Sequence, residues 1–149
     1  NGDWSIPLDA VLVIEQPTGF VNGTVRDSVS GTGLVGVNVS TTTGVHALTD
    51  STGFYSLSLP NGTYTLTASK HPEYQPNNSI PPVAVTAGTT AVQDIVLTPK
   101  PVYTLSGRVT SATSGSGISG AAVKLVEYPQ YNTTTSTTGD YSMTVPSGT

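Results

Sequence analysis

Five asparagines open Asn-x-Ser/Thr triplets: Asn22, Asn38, Asn61, Asn77 and Asn132. In a secreted chain each is an acceptor for a covalent N-linked glycan. The surrounding pattern puts Asn22 and Asn38 on the polar faces of strands, Asn61 at a hairpin tip, and Asn77 and Asn132 in loops. All five are therefore expected to be reachable. Other chemistry is thinly provided. His46 and His71 stand apart from each other and from any acidic cluster, so no metal site is expected. Asp27, Asp50 and Asp140 fall in turns, where a carboxylate commonly caps backbone amides, and no stretch carries the several carboxylates of a Ca²⁺ loop. With no cysteine, no Gly-x-Ser-x-Gly elbow and only two histidines to serve as a base, neither an active site nor a cofactor is expected. The run Tyr128-Pro129-Gln130-Tyr131 could present aromatic faces to a sugar ring, although tyrosine more often covers the edge of a sandwich.

The elements that carry these residues read as strands. Val21, Gly23 and Val25 alternate with Asn22 and Thr24. Val35, Val37 and Val39 alternate with Gly36 and Asn38. Tyr55, Leu57 and Leu59 alternate with serines, and Tyr64, Leu66 and Ala68 with threonines. A period of two marks half-buried antiparallel strands. Turn signals separate them at Asp50–Gly53, Asn61-Gly62 and Ala87-Gly88, with Asn-Gly the strongest short-range hairpin signal. Residues 71–82 form a proline-punctuated loop that suits a crossover between sheets, and Pro99-Lys100-Pro101 a short semi-rigid hinge. No segment has helical periodicity, so the chain is expected to be all-β.

The strands are written twice. Val21-Asn22-Gly23-Thr24-Val25 returns 84 residues later as Leu105-Ser106-Gly107-Arg108-Val109, and Gly31-x-Gly33-Leu34-x-Gly36 returns as Gly115-x-Gly117-Ile118-x-Gly120. From Thr52-Gly53 to Gly62-Thr63 the copy lies 86 residues on, at Thr138-Gly139 to Gly148-Thr149, so a loop between has gained two residues. Repetition at a fixed period means repeated modules. In the other direction, Val92, Ile95-Val96-Leu97 and Pro101 match Leu8, Val11-Leu12-Val13 and Pro17. The chain thus reads as an N-terminal strand segment (residues 1–18), a complete module (19–99) and a second, truncated module (100–149). Nothing in the second copy answers to Tyr64–Lys70. The counterparts of Asn22, Asn38 and Asn61 are Ser106, Ala122 and Ser147, so the repeat itself does not require asparagine there.

The succession Gly23-x-Val25-x-Asp27, Gly36-Val37-x-Val39, Thr49-Asp50, Gly53-x-Tyr55-x-Leu57-x-Leu59-Pro60, Gly62-x-Tyr64-x-Leu66 resembles the carboxypeptidase regulatory-like, or prealbumin-like, β-sandwich. The resemblance implies tandem antiparallel Greek-key sandwiches, the second incomplete, of the kind appended to secreted enzymes, receptors, adhesins and surface-layer proteins. It carries no catalytic residues over to this chain. Collagen-adhesin B-type repeats are similar and often hold a Lys–Asn isopeptide bond, but the first strands here offer Arg26 and Arg108 in place of a lysine.

Composition narrows the setting. Charged residues make up 9%, against roughly 25% in an average soluble protein, and 17 Ser with 25 Thr take their place. Net charge is −4, with no basic patch to meet nucleic acid. No run of some 18 apolar residues spans a membrane. Without an initiator Met or signal peptide, Asn1 reads as a processed end or a fragment boundary. The expected protein is secreted, extracellular or on the cell surface, where glycans would help so uncharged a surface stay in solution. Its expected role is a structural subunit of a filament, pilus-like fibre or surface layer. Its partners would be copies of itself, joined head to tail through strand complementation by Leu8, Ala10, Val11, Leu12, Val13 and Ile14. The alternative is an accessory or carbohydrate-binding module of a larger secreted enzyme or adhesin.

Overall fold

The computed structural model describes residues 16–148, which form thirteen β-strands and no helix. The first nine are β1 (Thr18–Asp27), β2 (Asn38–Thr41), β3 (His46–Leu48), β4 (Phe54–Pro60), β5 (Gly62–Tyr64), β6 (Leu66–Ser69), β7 (Val83–Val85), β8 (Thr90–Val92) and β9 (Ile95–Leu97). They pack as two layers. In one, β1 is central, with β4 antiparallel on one side and β8 and β9 on the other. In the other, β2 lies between β3 and β6, while β5, separated from β6 only by Thr65, pairs with β7.

This is the expected all-β sandwich, with one departure from purely antiparallel pairing: β8 and β9 run parallel to β1. Chain reversals explain it. β4 runs against β1, β5 and β6 run back, β7 reverses again, and the turn after Val85 brings β8 round in the direction of β1. Asn61-Gly62 also differs from expectation. It does not join two partners of one ladder, because β4 pairs with β1 and β5 with β7. It is instead a corner between the sheets, held by an Ala87 amide that donates to Asn61 Oδ1.

The alternating positions fill the space between the layers. Val21, Val25, Tyr55, Leu57 and Leu59 face Val37, Val39, Leu66 and Ala68, and Val83, Val85, Ile95 and Leu97 close the core. Each such Val or Leu contributes about 1.5–3 kcal/mol when fully buried. Val35 breaks the expected alternation and is 53% exposed, because Gly36 turns the chain at φ +70° ahead of β2. The recurring glycines at 33 and 53 mark a backbone crossing. A Cβ on Gly33 would lie 1.9 Å from Thr52 O, and Gly53 sits at φ +84°. Gly117 and Gly139 repeat this with 1.9 Å and φ +85°.

The last four strands are β10 (Val102–Arg108), β11 (Ala122–Lys124), β12 (Asn132–Thr134) and β13 (Asp140–Pro146). β10 pairs with β13 in the register of β1 with β4, so Gly23 opposite Tyr55 returns as Gly107 opposite Tyr141. β11 pairs with β12 as β2 does with β3. The two extra residues lie in the β11–β12 hairpin, where Leu125 N donates to Tyr131 O (3.1 Å) as Thr41 N does to Val45 O (2.8 Å).

Candidate functional site

The site is an edge that one module covers and the other leaves bare among the described residues. In the first module, β8 and β9 lie along β1. Phe20 N donates to Thr89 O (2.9 Å), Gln93 N to Asn22 O (2.8 Å), and Ser28 N to Leu97 O (3.0 Å). Between β8 and β9 the ladder is interrupted, and Asp94 takes over by accepting from Thr24 N at 2.8 Å. The Tyr55 hydroxyl reaches across β1 and donates to Gln93 O at 2.6 Å. Burial, reinforced by the Asp94 carboxylate, keeps that hydroxyl protonated well above its ordinary range. Gly23 is needed at this crossing, since a Cβ there would lie 1.9 Å from Gln93 O.

In the second module β10 has β13 on one side and, among the described residues, no strand on the other. Two side chains that are buried in the first copy are partly uncovered here. Val21 is fully buried, while its counterpart Leu105 is 39% exposed; Leu34 is 8% exposed and Ile118 41%. Among the described residues of the copy, only Met143, in the place of Leu57, and Pro146 bring a buried apolar side chain. The atoms nearest a Cβ on Gly107 belong to the Tyr141 ring, at 2.7–2.9 Å, whereas beside Gly23 the nearest is the Gln93 carbonyl oxygen at 1.9 Å. Among the described residues the second edge is bare as well: β11 has no partner in the place that β6 takes beside β2.

The profile of the carboxypeptidase regulatory-like domain matches residues 21–98. The chain belongs to this family. The match runs from the core of β1 through the closing strand β9, so it spans the regulatory-like module whose edges are covered. No curated protein sequence matches the chain. Among solved structures it is similar to the Bacillus anthracis TIE protein (19% identity, TM-score 0.48, over 87% of this chain and 26% of that one). It is also similar to GBS52, the minor pilin of Streptococcus agalactiae (20% identity, TM-score 0.46, 58% and 46%), and to a streptococcal ancillary pilin (12% identity, TM-score 0.49, 89% and 51%). The chain spans about a quarter of the first and about half of the other two.

The two modules touch through the loop after β6. Lys100 N donates to Glu73 O (2.8 Å), and the Tyr131 hydroxyl lies 3.5 Å from Glu73 Oε1, at the limit of a hydrogen bond. Beside it the Tyr74 hydroxyl donates to Asp27 Oδ2 at 2.7 Å. Burial, that bond and the nearby Asp27 and Glu73 charges push Tyr74 up to about 12. Tyr131 is raised too, by burial first and then by Glu73. Tyr128 and Tyr131 therefore do not form a shared free platform: Tyr131 is engaged at the joint, while Tyr128 lines a shallow hollow with Leu125, Val126 and Glu127.

The sequons differ in accessibility. Asn61 is exposed, and its side-chain oxygen is held by Ala87 N. Asn22 and Asn38 are half-buried with their side-chain oxygens enclosed and unpaired. Asn77 is half-buried and its Nδ2 donates to Val96 O (3.1 Å); Asn132 opens β12 with Nδ2 on Pro129 O (3.0 Å). The amide nitrogen that would carry a glycan is thus engaged at two of the five. Asp27 and Asp50 cap turns as expected, Asp27 accepting from Val29 N (2.7 Å) and Ser30 N (2.9 Å), and Asp50 from Thr52 N (2.8 Å) and Phe54 N (3.0 Å). Asp140 instead begins β13, accepts from the Thr138 hydroxyl and faces Arg108 at 3.8 Å; the cap there is Ser136. No group of three or more His, Cys, Asp or Glu able to hold a metal occurs among the described residues. Leu8, Ala10, Val11, Leu12, Val13 and Ile14, expected as an assembly strand, lie outside the described residues.

Two functional positions escape a reading by motif. Thr49, buried, donates to Leu34 O and accepts from Val37 N at 2.8 Å, and Thr135 makes the same pair of bonds to Ile118 O and Ala121 N. The other is Tyr55 with its acceptor on Gln93. Recurrence of Thr49 and Tyr55 at the 86-residue offset was the available signal, hidden among 25 threonines.

Proposed function

We propose that the chain is a non-enzymatic structural subunit of an extracellular assembly, a filament, pilus-like fibre or surface layer, in which the second module is completed by a strand from a neighbouring copy. The observation that carries this reading is the pair of equivalent edges: β1 covered by β8 and β9, and β10 with no second neighbour among the described residues and flanked by the partly exposed Leu105 and Ile118. A bare edge beside an apolar face recruits strands, and strand addition satisfies its backbone groups while burying alternate side chains. Residues 8–14 supply the donor sequence. A contact between the front of one copy and the back of the next does not close on itself and propagates as a fibre. The few charges favour close packing of subunits. Glycans, where present, belong first at Asn61, whose Nδ2 makes no bond among the described residues.

Sedimentation and imaging of the full chain test the reading. Assemblies that disappear when residues 1–16 are deleted, with the first module still folded, are expected. A discrete monomer whose second module is fully protected from hydrogen exchange would overturn it. A second reading, an accessory or carbohydrate-binding module of a larger secreted protein, draws on the β11–β12 hairpin, which holds Val126 88% exposed beside the Tyr128 hollow. Sugar binding on a glycan array, abolished by Tyr128→Ala, would establish it.

A further inference from the structure

Two Asn-Gly dipeptides lie among the described residues, Asn22-Gly23 and Asn61-Gly62. In Asn-Gly the side-chain amide carbon faces a following main-chain nitrogen that no Cβ shields. Attack of that nitrogen on Cγ closes a five-membered ring. The fold treats the two dipeptides differently. Asn22-Gly23 lies in the middle of β1, where Gly23 pairs with Tyr55 on one side and Gln93 N donates to Asn22 O (2.8 Å) on the other. Gly23 N cannot turn onto Asn22 Cγ without opening the central strand of the sheet. Asn61-Gly62 instead forms the corner between the sheets. Asn61, Gly62 and Thr63 are all exposed, and Asn61 lines a small open hollow with Gln16, Pro17 and Pro60. Gly62 opens β5, a strand of only three residues, so its movement disturbs one short ladder.

The corner also activates the Asn61 amide. Ala87 N donates to Asn61 Oδ1, while Nδ2 makes no bond among the described residues. A donor on that oxygen draws electron density from Cγ. It also stabilises the negative charge that gathers there when Cγ becomes tetrahedral, as an oxyanion hole does. Asn22 Oδ1 is enclosed and has no such donor. The Ala87 donor is itself held in place. Thr89 N donates to Thr86 O (3.1 Å) and Gly88 sits at φ +73°, which makes Thr86–Thr89 a type II turn. Gly88 N in turn donates to Thr18 O (3.0 Å), docking the turn on the start of β1.

We infer that Asn61 is a self-modification site, converting to aspartate or isoaspartate with water as the only other reactant. Gly62 N bonds to Asn61 Cγ and gives up its proton. The Cγ–Nδ2 bond breaks, and Nδ2 leaves with that proton as ammonia. Water then opens the succinimide at either carbonyl, to give aspartate at 61 or isoaspartate, whose main chain runs through the side chain. Both products add a negative charge to the net −4. A glycan on Nδ2 and this reaction exclude each other, because both take the same nitrogen. Aspartate keeps an oxygen for Ala87 N, whereas isoaspartate lengthens the main chain at the corner and draws that oxygen away from the turn leading into β8.

Warming the full chain at neutral pH, followed by peptide mass spectrometry, tests the site. Exchange of –NH2 for –OH at Asn61, with Asn22 unchanged, is expected in the folded chain, and exchange at both in urea. Gly62→Ala should slow the reaction at Asn61 and keep the fold, because Gly62 is not left-handed and an added Cβ meets the Tyr64 ring first, at 3.3 Å. Ala87→Pro keeps a type II turn, which favours proline at that place, and removes the donor. It should slow the reaction by about two- to tenfold, the worth of one hydrogen bond. Equal exchange at Asn22 and Asn61 in the folded chain would overturn the site, as would none at Asn61 while the urea sample reacts. An Ala87→Pro chain that reacts as fast as the parent, or faster, would overturn activation by the corner.

Discussion

At the level of single residues, the first module is held by polar groups that serve two backbone partners at once. Thr49 satisfies both the Leu34 carbonyl and the Val37 amide inside the sandwich. Its removal leaves two buried backbone groups without partners, at about 1–3 kcal/mol for such groups. Thr49→Val is expected to lower unfolding stability in urea by about that amount, and Thr49→Ser to restore most of it. Charge adds a pH dependence of known sign. The Ser30 amide, the Tyr74 hydroxyl and the Val29 amide hold the Asp27 carboxyl below its ordinary 3.8, and the Thr52 hydroxyl and amide do the same for Asp50. Their contribution is present above 3.8 and is lost as pH falls below it. Tyr55, Tyr74 and Tyr131 are all raised above the ordinary 10.0, so their contribution is full below pH 10.0 and is lost as pH rises beyond it. The melting temperature should be flat between these limits and fall on both sides, and Tyr55→Phe should soften the alkaline fall. A profile still rising above pH 10.0 would contradict the burial of these hydroxyls.

At the level of elements, the closing strand is the decisive piece. β8 and β9 supply Ile95 and Leu97 to the core and cover the edge of β1, yet they are three residues each and separated by the Gln93-Asp94 break. Their placement depends on Gly23, where an added Cβ would lie 1.9 Å from Gln93 O. Gly23→Ala is therefore expected to destabilise the first module by about 1–3 kcal/mol, the range for overpacking, read by denaturant unfolding. Gly107→Ala in the dispersed chain meets the Tyr141 side chain first, at 2.7 Å, and should cost less. In an assembly where a strand passes that point it should block association, and the contrast between dispersed and associated material separates the two effects. The turns differ in strength as well. Asp27 and Asp50 become Ser111 and Ser136 in the second copy, with longer amide contacts of 3.3 Å at Thr113 N and at Thr138 N. The second module thus repeats the path of the first with weaker caps.

For the whole molecule, the two modules have unequal stability. The first buries fifteen apolar residues in one cluster, drawn from both layers and from the closing strands. The second has two buried apolar side chains, Met143 and Pro146, among the described residues. Local opening is easiest where few apolar contacts are buried. Amides of β10 and β13 are therefore expected to exchange faster than those of β1 and β4 in the dispersed chain, and to slow on assembly; equal protection in both states would contradict this. The joint through Glu73 and Tyr131 is a partly exposed contact at 3.5 Å, so Tyr131→Phe should change stability by less than about 1 kcal/mol.

The amino-acid sequence by itself determined the strands, the turns and the duplication. Alternation is local, and Val21, Val25, Tyr55, Leu57 and Leu59 are buried as their spacing requires; Asp27 and Asp50 cap turns because a short carboxylate beside free amides has few better options. The two extra residues were legible as an offset, and their hairpin was not. Only the tertiary structure decided which strands meet. Val35 leaves the buried face at Gly36, Asn61-Gly62 turns from one sheet to the other, and β8 and β9 join β1 in parallel across some seventy residues of chain. Strand pairing depends on where distant segments arrive and on the number of reversals between them, which period-two alternation does not encode. The edge of β10 that no described strand covers follows from the same fact, because an edge is defined by the neighbour that would cover it.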